Sequence, residues 1–152
     1  MGSNLGNREA YLQQAIADLR DQAGMVLAGV LEETAPWGNP AQPSYLNQGL
    51  LVETELAPEA FLQLCLEIEA AHGRIRSAER NAARTLDIDL LTWSGGVYCS
   101  ERLEIPHPRL HLRDFALRAI RQFEPAWQHP VHAKTISVYL QALELINNDD
   151  RK

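Results

Sequence analysis

Apolar residues recur along this chain with two periods. Leu12, Ala15, Ile16 and Leu19 follow the i, i+3, i+4, i+7 spacing of one helix face. They predict a helix from a cap at Asn7 to about residue 21, with Gly24 as its stop. Val26, Leu27, Val30 and Leu31 predict a strand over 25–33, and a second strand is expected over 46–54. Between them, residues 34–44 hold Pro36, Gly38, Pro40 and Pro43 and read as a loop. Pro58 suits a first helical turn, and Phe61, Leu62, Cys65 and Ile68 give that helix its apolar stripe up to Gly73. Residues 85–93 read as a strand closed by Ser94-Gly95-Gly96, with short extended pieces expected at 97–99 and 104–105. Two last helices are expected, one over 114–123 capped by Asp114 and one from Thr135 to about 145. Residues 146–152 are expected to fray.

The order helix, strand, strand, helix, strand, then short pieces and helices is an α+β pattern. It matches a ferredoxin-like βαββαβ sheet whose first strand is missing from this chain. With 152 residues, one domain over 1–152 is expected, large enough to bury a core. The missing strand leads to the expectation that Met1 is not the natural start and that about six residues of apolar alternation precede Gly2. An open sheet edge of that kind invites pairing, so a monomer is expected only if the edge stays covered.

Composition narrows the class. Apolar residues at 45% and charged residues at 22% are globular values. No apolar run approaches a membrane span, and no secretory signal opens the chain. Cys65 and Cys99 are too few for a disulfide scaffold, so a cytoplasmic setting is expected. A net charge of −6 argues against nucleic-acid or anionic-membrane binding. The distribution is more informative than the total. Residues 1–73 carry two Arg against ten acids, whereas residues 74–121 carry nine Arg, no Lys and six acids. Arg presents a planar fork that matches two phosphate or carboxylate oxygens at once.

The sharpest candidate chemistry is the run Arg84-Thr85-Leu86-Asp87-Ile88-Asp89-Leu90-Leu91. In a strand, Asp87 and Asp89 share a face about 6.6 Å apart, with Leu86, Ile88 and Leu90 on the other face. Two neighbouring carboxylates repel, and Mg²⁺ would relieve them. An edge strand with a solvated acidic face accounts for the same pattern. Arg74, Arg76, Arg80 and Arg84 precede the pair, and carboxylates beside arginines suit a metal-bound polyphosphate. There is no P-loop. Gly2-Ser3-Asn4-Leu5-Gly6 reads equally as a weak phosphate cradle or a simple turn. His107 stands between Pro106 and Pro108 with Arg102, Arg109 and Arg113 around it, either a phosphate donor or an ordinary surface histidine. Tyr45 and Asn47 share a strand face that suits a flat heterocycle or plain sheet packing. His72, His111, His129 and His132 lack metal-ligand spacing and read as structural or exposed, and Cys65 reads as core.

Five motifs occur in order: Gly2-Ser3-Asn4-Leu5-Gly6, Thr34-x-Pro36-x-Gly38, Gln42-Pro43-x-Tyr45-Leu46-Asn47, Arg84-Thr85-Leu86-Asp87-Ile88-Asp89 and Pro106-His107-Pro108-Arg109. Together they resemble the 6-hydroxymethyl-7,8-dihydropterin pyrophosphokinase family, from Gly2 to about Pro125. The resemblance implies transfer of pyrophosphate from ATP to the pterin alcohol, with AMP released, in folate biosynthesis. It implies that Asp87 and Asp89 ligate two Mg²⁺ ions and, with Arg74 and Arg84, form the catalytic set. It places Glu69, Arg74, Arg76, Arg80, Arg84, Arg102, His107 and Arg113 around ATP. It places Thr34, Tyr45, Asn47 and Phe115 around the pterin. Asp89 or a water is the candidate proton acceptor. The chain departs from the family pattern with Ala82-Ala83 in place of Gly-Pro, Asn81 in place of an aromatic and Ala119 in place of Pro. The rival classes are a non-catalytic ferredoxin-like binding module and a metal-dependent phosphohydrolase.

Overall fold

Helix α1 (Arg8–Gln22) forms where the periodicity places it, burying Leu12, Ala15, Ile16 and Leu19. The Asn7 side chain accepts the Ala10 N–H at 3.2 Å and starts the helix. The computed structural model describes residues 1–36, 41–75 and 82–149. By its internal contacts the chain separates into two units, 1–89 and 90–152.

In the first unit, strand β1 (Gly2–Ser3) precedes α1, and β2 (Gly24–Thr34) and β3 (Tyr45–Thr54) follow it. The sheet order is β1-β3-β2, antiparallel throughout. Gly24 opens β2 instead of closing α1; Ala23 caps that helix through the Leu19 carbonyl. A bulge between Ala28 and Leu31 shifts the β2–β3 register. Helix α2 (Pro58–Ala71) starts with Pro58, as expected. Its buried stripe is Phe61, Leu64, Cys65, Ile68 and Glu69, so Leu64 takes the place predicted for Leu62 and a carboxylate joins the stripe.

One sequence expectation is narrowed and another needs correction. At the place expected for the first strand, two residues, Gly2–Ser3, pair with β3 in the register Gly2↔Asn47 and Ser3↔Leu46. Conversely, no strand runs over 85–93. Gly2 and Asp87 form a single antiparallel bridge, with N–H···O distances of 2.8 and 2.9 Å in the two directions. A strand extends only as far as its neighbour offers backbone groups, and β1 is two residues long.

The second unit contains a short hairpin, β4 (Tyr98–Cys99) with β5 (Glu104–Ile105), and a cis Ile105–Pro106 bond follows it. A 3₁₀ turn (Leu110–Leu112) leads into α3 (Asp114–Phe123), and the last described element is α4 (Ile136–Asp149). Thr135 Oγ1 accepts the Val138 N–H at 3.4 Å, and α4 runs past the expected end at 145. Leu110, Ala116, Leu117, Ile120, Ile136 and Tyr139 form the core here, with Phe115 and Trp127 partly buried against it. The described residues are therefore α+β, with small antiparallel sheets and four α-helices. No described helix is long and apolar enough to cross a membrane.

Candidate active site

In the first unit, a buried carboxylate organises the site. Glu69 sits on the apolar stripe of α2 and is only 2% exposed. Its Oε1 accepts the Ile88 N–H at 2.7 Å and pairs with Arg74 Nη1. Burial pushes the Glu69 carboxyl up, while the Ile88 N–H and Arg74 pull it the other way. Its Oε2 is buried without a hydrogen-bond partner. α2 ends at Ala71, and Gly73 just past its cap, with a φ of +78° that suits glycine, turns the chain so that the Arg74 N–H reaches the Glu69 carbonyl at 3.0 Å. The main chain thus brings the Arg74 side chain back over Glu69.

Asp87 lies between two arginines. Its Oδ1 is 2.6 Å from Arg74 Nη1 and its Oδ2 is 2.9 Å from Arg84 Nη1. The carboxylate pair predicted to repel is thus relieved at Asp87 by guanidinium groups. Burial alone would weaken the Arg84 cation, but Asp87, the Tyr45 oxygen and Asp89 outweigh it and raise its pKa. Burial likewise raises the Tyr45 hydroxyl, while Arg84, its hydrogen-bond partner, opposes that shift. Tyr45 therefore joins the phosphate-type cluster as well as the strand face that carries Asn47. Among the described residues, three acids and two arginines meet here, with Asp89 acting on Arg84 from two residues beyond Asp87.

Asn47 Nδ2 donates to Thr34 Oγ1 at 2.7 Å across β2–β3. Its Oδ1 lies over Gly2, where a Cβ would fall directly on it. Glycine at position 2 therefore makes room for the Asn47 amide. Thr34, Asn47 and Tyr45 are brought together at one end of the hairpin, since Thr34 and Tyr45 are register partners.

In the second unit, His107 Nδ1 accepts the Arg109 N–H at 3.1 Å, and the His107 N–H reaches the Leu91 carbonyl at 2.9 Å. The histidine thereby closes a turn of its own segment. Arg113 Cζ stands 4.7 Å above the Phe115 ring. Arg102 is exposed beside the β4–β5 turn. Arg76, Arg80, Asn81 and Trp37 lie outside the described residues.

Sequence reasoning missed two features. The anchoring role of Glu69 was signalled only by an acid on an apolar stripe. The other miss is a histidine cluster: His129 and His132 stack at 4.0 Å, His111 meets His132 edge-on at 5.5 Å, and His132 Nδ1 lies 2.6 Å from the Tyr139 hydroxyl. Cys65 is core, as expected, with burial and then Glu69 pushing its thiol up to about 12.

The chain matches the family described as 7,8-dihydro-6-hydroxymethylpterin-pyrophosphokinase over residues 1–125. It is 37% identical over 127 residues to a 2-amino-4-hydroxy-6-hydroxymethyldihydropteridine pyrophosphokinase of Methylorubrum extorquens, covering 82% of this chain and 80% of that protein. A protein of the same name in Bacillus subtilis is 37% identical over 124 residues, covering 80% of this chain and 74% of its own length. A third, from Synechocystis sp., is 35% identical over 152 residues, covering 97% of this chain and 74% of that protein. The matched stretch contains the whole arginine–carboxylate cluster and the Thr34–Asn47 pair, so the chain belongs to the 7,8-dihydro-6-hydroxymethylpterin-pyrophosphokinase family.

Proposed function

We infer that the arginine–carboxylate cluster carries the reaction of this family. That reaction transfers pyrophosphate from ATP to the hydroxymethyl oxygen of 6-hydroxymethyl-7,8-dihydropterin in folate biosynthesis and releases AMP. The observation that supports this most is Asp87 held between the forks of Arg74 and Arg84. Phosphate oxygens compete for the same guanidinium groups, and each fork that turns to a phosphate frees an oxygen of Asp87. Arg74 and Arg84 then meet charge that spreads over the transferring group.

Asp87 and Asp89 would hold Mg²⁺, with two ions expected when ATP is bound. The donors are all oxygen, as a hard cation requires, and Oε2 of Glu69 is buried beside them without a hydrogen-bond partner among the described residues. No described group of three ligating side chains is arranged to hold a metal alone. Mg²⁺ commonly takes one or two carboxylates and completes its shell with substrate phosphates. When bound, the metal supplies charge neutralisation at the phosphates and makes the attacking hydroxyl more acidic. Glu69 keeps the Asp87–Asp89 segment in place through Ile88 and keeps Arg74 aimed at it.

Asn47 reads the polar edge of the pterin, Thr34 orients that amide, and Tyr45 offers an aromatic face. Arg102, His107 and Arg113 for ATP, and Phe115 for the pterin, keep the roles that family resemblance gives them, as do Arg76 and Arg80. The order β1-α1-β2-β3-α2 followed by the Asp87 bridge supports a ferredoxin-like arrangement. The family match crosses residue 89, which supports one pyrophosphokinase domain over 1–152.

The deciding experiment is AMP formation from ATP and Mg²⁺ with and without the hydroxymethyl pterin. AMP that appears only with the pterin is expected. Equal nucleotide hydrolysis without it would assign the cluster to a phosphohydrolase.

A further inference from the structure

The Gly2–Gly6 run contains a buried amide that the reaction above does not use. Asn4 is 2% exposed. Its backbone N–H donates to the Arg84 carbonyl at 3.1 Å, and its Oδ1 accepts the Arg84 N–H at 2.8 Å. Its Nδ2 donates to Gln42 Oε1 at 3.0 Å and to the Pro43 carbonyl at 3.3 Å. One carboxamide therefore holds Arg84 with its acceptor and the residues just before Tyr45 with its donors. A second tie reinforces the same stem, because Arg8 Nη1 donates to the Ser44 carbonyl and to Glu33 Oε1, each at 2.8 Å.

We propose that Asn4 is a positioning residue that fixes the phosphate-binding fork of Arg84 and the Gln42–Ser44 stem of the heterocycle loop in one register. The inference rests on the assignment of Arg84 to ATP and of Tyr45 and Asn47 to the pterin. Only an amide fits this place. Aspartate at neutral pH keeps the acceptor for the Arg84 N–H but turns an unprotonated oxygen on the Pro43 carbonyl and Gln42 Oε1. Alanine removes both halves of the clamp. The substitutions therefore separate the two functions of a single side chain.

The test is calorimetric titration of the whole chain with Mg²⁺·ATP, then with the hydroxymethyl pterin in the presence of a non-hydrolysable ATP analogue. Single-turnover transfer is measured alongside. Asn4→Asp is expected to weaken pterin binding about tenfold, while ATP binding stays within about twofold. Asn4→Ala is expected to lower the single-turnover rate as well, because Arg84 loses its tether. Gln42→Ala, which removes one acceptor without touching Arg84, is expected to show a smaller loss confined to the pterin. Combined with Asn4→Ala, it is expected to add less than its separate effect. A merely structural Asn4 gives equal losses for both ligands, or additive losses in the double variant; either result overturns the proposal. Unchanged pterin binding in both Asn4→Asp and Gln42→Ala also overturns it. An unsubstituted chain that binds ATP but no pterin overturns instead the reading on which the proposal rests.

Discussion

Residues 69–89 and residues 111–139 each crowd several titratable side chains into a small volume, and the two regions handle the crowding differently. In the first, opposite charges are interleaved: Glu69, Asp87 and Asp89 alternate with Arg74 and Arg84. In the second, the rings of His111, His129, His132 and Tyr139 pack on one another, with His129 buried and its Nδ1 accepting the Val131 and His132 N–H groups at 3.3 Å. Burial first, and then His132 and His111, lower the His129 pKa. An interleaved cluster can exchange its partners for a charged ligand. A ring stack instead resists a proton at its buried member, His129.

The largest expected effect breaks the interleaving. Asp87→Ala should lower pyrophosphate transfer at least about a thousandfold, because a metal ligand and the counter-ion of two arginines go together. It should also cost stability, since Arg74 and Arg84 are each left with one fewer partner. Thermal melts without ligand check the second part, and an unchanged melting temperature would mean that the two ion pairs contribute nothing net. Next comes Arg84→Lys, which keeps the charge and loses the fork. Single-turnover transfer should fall about a hundredfold while ATP affinity changes much less, because the charge it meets grows along the reaction.

Gly2→Ala should be smaller and more selective. A methyl group there drives the Asn47 amide off its place, with an overpacking cost of about 1–3 kcal/mol. Calorimetry should show weaker pterin binding with ATP binding preserved; equal losses would detach Gly2 from the pterin end of the hairpin. The smallest effect concerns the histidine stack. The folded protein binds the His129 proton less tightly than the unfolded chain, whose pKa is about 6.5. Stability is therefore complete above that pH and declines as the pH falls through it toward the lowered folded value. A melting-temperature loss of roughly 2–4 °C per kcal/mol is expected for a chain of this size. His129→Asn keeps an acceptor for the turn and removes the titration, so its melting temperature should vary less between pH 7 and 5.5. A variant with the same acid slope would place the sensitivity elsewhere.

How much of this was legible in sequence depends on the range of the interaction. The 3.6-residue stripe of α1 and the Asn7 cap are local, and the fold follows them. The Asp87 and Arg84 types pointed to phosphate chemistry because composition alone limits what such groups can do. The missing information was non-local. A strand over 85–93 was expected from its own residues, but its ladder depends on β1, some 80 positions away, which offers two residues. Alternation places Asp87 and Asp89 on one face, yet it does not show that Arg74 folds back from the end of α2 to meet Asp87. The histidines are spread over residues 111 to 132, and only the packing of α4 on α3 gathers their neighbours.

That packing also separates two kinds of boundary. The family match stops at residue 125, yet Ile136 and Tyr139 of α4 are buried in the same core as Leu110, Leu117 and Ile120. The family match and the folding core thus end at different residues, although the Synechocystis relative aligns over 97% of the chain. A gene trimmed to residue 125 would encode every candidate phosphate and pterin ligand and still strip the cover from α3. Its product would show an apolar face to solvent and tend to associate. In this chain α4 keeps the apolar side of α3 out of water, although it lies beyond residue 125.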